Sequence, residues 1–192
     1  MDRPPPDRRG FLAQLALGAS TIGVNVRPSD LAAAFRFADH AAEQSPPPPL
    51  QTLTALEARE LEAIAAQIIP TDDTPGAREA RVIYFMDHWF GHAGRPGLAV
   101  VREQLPQLVA QAKQGRKQLK GFADLPDAEQ IAVLKVVEKD RPEFFEIVRT
   151  AAVLGMFSDP RRGGNFGKAG WKLIGFEDRY NWAAPFGYYD RA

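Results

Sequence analysis

From Thr54 onward, apolar residues recur at intervals of three and four, with polar residues falling on the opposite side of the helix that such spacing makes. Leu61, Ile64, Ala65 and Ile68 form the first stripe. It opens on Thr54 with Glu57 three residues later, the pairing of a capping box, and it closes at Pro70. The loop Thr71-Asp72-Asp73-Thr74-Pro75-Gly76 offers several N-caps and sets Pro75 near the first position of a second helix, which carries Val82, Phe85, Met86 and Trp89 on one face and runs to Gly91. A third stripe, Leu98, Val101, Leu105, Leu108 and Ala112, contains Pro106, which predicts a kink or a division. A fourth begins near Pro126 and shows Ile131, Leu134 and Val137. A fifth starts from Asp140, with Pro142 and Glu143 in its first turn, and carries Phe144, Ile147, Val148, Ala151 and Leu154. No stretch alternates with a period of two for long enough to make a strand. The expected fold is all-α, a bundle of about five helices followed by a long irregular arm rich in glycine and aromatic residues.

That arm runs from Ser158 to Ala192. Segments of this length without periodicity are functional or disordered. Phe166, Trp171, Leu173, Ile174, Phe176, Tyr180, Trp182, Phe186, Tyr188 and Tyr189 are too heavy an apolar load for a solvated tail, so the arm is expected to dock. Its glycines at 163, 164, 167, 170 and 175 suit a backbone held in an imposed conformation. Docking on the chain's own bundle and docking on a second protein are both compatible with the sequence, and a substantial partner contact is the expectation.

The N-terminal residues read differently. Arg8 and Arg9 are followed by Gly10, Phe11 and Leu12 and then by a mildly apolar run to Val26, the layout of a twin-arginine export signal. About 16 residues of moderate hydrophobicity are too few for a transmembrane helix, which needs roughly 20. Residues 1–34 are therefore expected to be a signal, with cleavage after Ala32-Ala33-Ala34, and residues 35–50 a linker whose Pro46 to Pro49 favour polyproline II. A single domain is expected over residues 51–192, with the arm over 158–192. The twin-arginine route carries proteins that are already folded, usually with a cofactor loaded. Such a signal on a chain with no visible cofactor site points to a partner that has one, and to the twin-arginine translocase as a further contact.

Composition narrows the chemistry. The 24 basic and 24 acidic residues cancel, so no large pole of charge exists to attract nucleic acid, which is not expected as a partner. The chain has 0 cysteines, which removes disulfides, thiolate nucleophiles, cysteine-ligated clusters and most structural zinc sites. No catalytic or cofactor-binding residue is assigned. Gly164, Gly167 and Gly170 fail as a phosphate loop, because Gly167-Lys168 is followed by Ala169 rather than by Ser or Thr. His88 and His92, four apart with Asp87 beside them, are weak metal candidates, since Gly91 is expected to end the helix between them. Asp72 and Asp73 suit helix capping better than acid-base work. Lys113, Arg116, Lys117 and Lys120 form a basic run that suits a solvated helix end better than a lipid-binding surface.

Two blocks carry a resemblance. Ile68 to Asp87, IIPTDDTPGAREARVIYFMD, and Phe157 to Phe176, FSDPRRGGNFGKAGWKLIGF, resemble in order and separation the two signatures of the gluconate 2-dehydrogenase subunit 3 family, and the likeness extends over most of residues 50 to 182. The resemblance implies a small non-catalytic subunit of a periplasmic, membrane-associated dehydrogenase acting on gluconate, related sugars or polyols. The FAD would sit in a large subunit of the glucose-methanol-choline type, and haem c in a multihaem cytochrome subunit. The small subunit would escort the large one through the twin-arginine pathway and stabilise it. Carried over by motif, Pro70, Asp72, Pro75 and Gly76 are turn positions. Asp159, Gly163, Gly164, Asn165, Gly170, Trp171, Lys172 and Phe176 are partner-interface positions, with Gly175 structural. Arg161-Arg162 stands where an aromatic is common in the family, and Glu177-Asp178 replaces a usual Pro-Gly. The alternative from another class is an exported helical module that binds a small ligand or metal on its own.

Overall fold

In the computed structural model, which describes residues 49–178, five long helices and one short one make up the fold, with no strand among the described residues. They are α1 (Ala55–Ile68), α2 (Val82–Gly91), α3 (Arg95–Lys113), α4 (Asp127–Asp140), α5 (Pro142–Phe157) and α6 (Ala169–Leu173). The expected signal residues Arg8, Arg9, Phe11 and Leu12, nearly all of the linker, and the end of the arm from 179 lie outside the described residues.

Helix α5 is the hub. It packs against α1, α2, α3 and α4, burying Phe144, Ile147, Val148, Ala151, Ala152 and Met156. Helix α1 starts as the sequence predicts: the Thr54 hydroxyl accepts the Glu57 N–H at 3.2 Å, and the Glu57 carboxylate accepts the Thr54 N–H at 2.7 Å. The stripes of α1, α2, α3 and α5 supply most of the core, with Leu61, Ile64, Val82, Met86, Val101, Leu108 and Phe144 fully buried.

Four expectations need correction. The second helix begins at Val82, not near Pro75, because Arg81 adopts a left-handed conformation (φ 53°) that no helix can run through. Residues before it form turns that bury Ala77 and Ala80. Of the kink or division expected at Pro106, the division does not occur: the third helix runs unbroken from Arg95 to Lys113. In α4, Ile131 is 43% exposed and Gln130 is buried in its stead. Gln130 donates to the Leu125 carbonyl at 2.9 Å and accepts from Gln67 at 2.9 Å, so its polar atoms are satisfied inside. The arm, finally, is not wholly irregular: 3₁₀ turns at Pro160–Arg162 and Phe166–Lys168 lead into α6.

Candidate functional site

The C-terminal arm is two-sided. Its inner side is Gly163, Gly164, Asn165, Ala169 and Gly170, all buried. A β-carbon at Gly164 would lie 2.1 Å from the Gly155 carbonyl oxygen, and one at Gly170 would lie 2.0 Å from that of Met156, so the arm touches the backbone of α5 directly. Only glycine permits that approach. Asn165, wholly buried and left-handed at φ 49°, donates from Nδ2 to the Ser158 carbonyl at 2.8 Å and accepts the Gly170 N–H at 2.7 Å. It closes the loop from 158 to 170 around itself. The Phe166 N–H donates to the Ala80 carbonyl at 3.0 Å, and the Arg81 guanidinium sits 3.7 Å from the centre of the Phe166 ring. The arm is thereby stitched to the turn before α2 as well as to α5.

Of the residues expected at a partner interface, Gly163, Gly164, Asn165 and Gly170 thus do their packing within the chain. Trp171 is half-buried and also tied inward, its indole N–H donating to the Phe157 carbonyl at 3.0 Å while its ring lies 4.9 Å from that of Phe176. Asp159 caps the first 3₁₀ turn by accepting the Arg161 N–H at 3.0 Å, and the hydrogen bond from the Arg161 side chain holds its carboxyl below the ordinary carboxylate value. The outer side of the arm is different. Lys172 is exposed there, next to Leu173 and Ile174 at 44% and 58% exposure, and Phe166 is 37% exposed.

Pro70, Asp72, Pro75 and Gly76 form the turn between α1 and α2. Asp72 accepts the Thr74 N–H and hydroxyl, each at 2.8 Å, and these bonds hold its carboxyl below the ordinary value. The Gly76 N–H and the Thr71 hydroxyl converge on Glu79 at 2.9 and 2.6 Å. Every one of these groups is engaged in shaping the turn.

His88 and His92 have ring centroids 4.5 Å apart at a tilt of 49°, and α2 ends at Gly91 between them. No group of three or more His, Cys, Asp or Glu side chains suited to a metal exists among the described residues. Asp87, the neighbour that the sequence suggests, faces elsewhere. Its carboxylate accepts the N–H groups of Gln51, Thr52 and Leu53 at 2.9, 2.9 and 2.7 Å, clamping the chain's entry into the bundle onto α2. Glu60 is a second buried carboxylate that the sequence does not single out. It accepts the Ala123 N–H at 2.9 Å and an Arg59 guanidinium N–H at 3.1 Å, fixing the turn at Phe122–Asp124 to α1. Both act across more than 30 residues of sequence, where no local pattern can reveal them.

No helix among the described residues is long and apolar enough to cross a membrane. No curated protein and no solved structure matches the chain. The family model for gluconate 2-dehydrogenase subunit 3 matches residues 55–178, from the first turn of α1 to just past α6, and so takes in both the bundle and the described part of the arm. The chain belongs to the gluconate 2-dehydrogenase subunit 3 family, and with it to the accessory subunits of a multisubunit dehydrogenase.

Proposed function

We propose that this chain is the non-catalytic small subunit of a periplasmic dehydrogenase that oxidises gluconate, a related sugar or a polyol, and that it carries its catalytic partner through the twin-arginine pathway and stabilises it. Family membership carries this reading. The partner is a flavoprotein of the glucose-methanol-choline type that holds the FAD, and electrons leave it through a haem c subunit toward quinone. Hydride transfer then lies wholly outside this chain.

Two observations support it. The outer side of the arm exposes Leu173 and Ile174 beside Lys172 while its inner side is in backbone contact with α5, so a partner can cover these apolar side chains on a segment already held to the bundle. The pair Arg8-Arg9 with Phe11-Leu12 supplies the export address. Co-expression with the flavoprotein encoded beside this chain tests the reading. Arg8→Lys with Arg9→Lys keeps both charges but loses the planar guanidinium fork, and is expected to leave flavoprotein activity in the cytoplasm. Undiminished periplasmic activity would refute the escort role.

A further inference from the structure

A cleft runs along α3 beside its core stripe, with Leu98 and Leu105 of that stripe forming part of its floor. Ala99, Arg102, Pro106, Ala110 and Lys113 recur every three to four residues and are all exposed, so α3 has a second face besides the buried Leu98, Val101, Leu105, Leu108 and Ala112. Residues 51–60 form the opposite wall. The Arg102 guanidinium crosses between the walls, donating to Glu57 at 2.8 Å and to the Thr52 carbonyl at 3.0 Å, and a hollow lies on either side of it, of about 380 and 480 Å³. The smaller is lined chiefly by Leu56, Leu105, Pro106, Val109 and Ala110, and Leu56 is 54% exposed on its rim. Arg95 lies in the larger hollow and Lys113 in the smaller, at opposite ends of α3.

Charge and length identify what fits. The acidic groups of the cleft are already engaged, Glu57 by Arg102 and Glu60 by the Ala123 N–H and Arg59, whereas Arg95 and Lys113 have no ion-pair partner among the described residues. The unneutralised charge is therefore positive at both ends. At 1.5 Å per residue, Arg95 to Lys113 spans about 27 Å, the length of five helical turns and more than one small molecule covers. The small side chains of Ala99 and Ala110 allow a second helix to approach α3 at ordinary interhelical distance. We propose that this cleft receives an amphipathic helix of the flavoprotein subunit, its apolar side on Leu56, Pro106, Val109 and Ala110 and its carboxylates toward Arg95 and Lys113. This contact is separate from the arm and rests on the assignment of the chain to a dehydrogenase complex.

Affinity for the co-expressed flavoprotein, measured with purified subunits, tests it. Ala110→Glu, and separately Arg95→Glu with Lys113→Glu, are expected to weaken binding at least tenfold with an unchanged melting temperature, since none of these side chains is buried in the core. Wild-type affinity should fall as salt rises, and the double charge reversal should remove most of that dependence. Hydrogen exchange should slow in residues 56–60 and 99–113 on binding. If the cleft variants bind as the wild type does while Leu173→Asp abolishes binding, the cleft proposal falls and the assignment to the complex stands. If the wild-type chain does not bind the flavoprotein, both fall.

Discussion

Asn165 and Gly170 are joined by a 2.7 Å hydrogen bond from the glycine N–H to the asparagine side chain, and neither group has access to water. The same side chain serves the Ser158 carbonyl. Replacing Asn165 by Ala leaves the buried Gly170 N–H without a partner, at about 1–3 kcal/mol, and removes the donor from the part-buried Ser158 carbonyl, at about 0.5–1.5 kcal/mol. Asn165→Ala is therefore expected to lower stability by roughly 1.5–4.5 kcal/mol, read as a drop in the urea midpoint. A loss under about 1 kcal/mol would mean that the arm does not depend on this loop closure.

The arm's close approach to α5 gives an independent test. Gly164→Ala and Gly170→Ala would place a methyl group 2.1 and 2.0 Å from carbonyl oxygens of α5, which are backbone atoms and cannot swing aside. Each substitution should lift the inner side of the arm off the bundle. The expected readout is faster proteolysis after residue 158 and altered Trp171 fluorescence, with the helical circular dichroism of the bundle retained. Gly167→Ala is the control, because nothing lies within 4 Å of its β-carbon position, although φ 62° carries a modest cost of its own.

How much of this was legible in the sequence depends on how far apart the interacting residues lie. The helix stripes and the Thr54–Glu57 cap are local patterns, and they place the bundle correctly. The start of α2 is not legible locally, because the left-handed turn at Arg81 lies against Phe166, whose ring meets the Arg81 guanidinium and whose N–H donates to the Ala80 carbonyl, 85 or so residues along the chain. Ile131 looked like core because it fits the period, yet buried Gln130 is paid for by partners at Leu125 and Gln67 that periodicity cannot show. The glycines of the arm read from the sequence as residues held in place. Which surface holds Gly164 and Gly170 became visible only with the α5 carbonyls beside them.

Asp87 supplies a prediction about the chain's entry into the domain. Its carboxylate binds three successive backbone N–H groups, a charge-assisted arrangement at 2.7–2.9 Å. Asp87→Asn removes the charge and one acceptor and turns an amide donor toward an N–H. A destabilisation of about 2–4 kcal/mol is expected, on the scale of charged hydrogen bonds, together with new protease cleavage near Gln51. Wild-type resistance to cleavage there would contradict the clamp.

Acid should loosen the fold. Asp159 is held below its ordinary value of 3.8 by the Arg161 side chain, and Glu79 below 4.5 by the Thr71 hydroxyl. At Glu57, burial pushes the carboxyl up, but hydrogen bonds from Arg102 and Thr54 outweigh it and the net direction is down from 4.5. A carboxylate whose folded pKa is depressed contributes stability that is complete above its unfolded value and is lost as pH falls through the folded one. These groups therefore predict no loss near neutrality and a falling melting temperature below about pH 4.5. A melting temperature unchanged down to pH 3 would contradict the assigned hydrogen bonds.

The central claim is that the chain works as one subunit of a flavin dehydrogenase and has its apolar arm surface covered by that partner. Size-exclusion chromatography with light scattering on the co-expressed pair measures this directly. The account predicts one stoichiometric species that carries flavin absorbance and dye-linked dehydrogenase activity, and its dissociation by Leu173→Asp with Ile174→Asp. Two separately eluting proteins, with the flavoprotein equally active and equally stable alone, would contradict it.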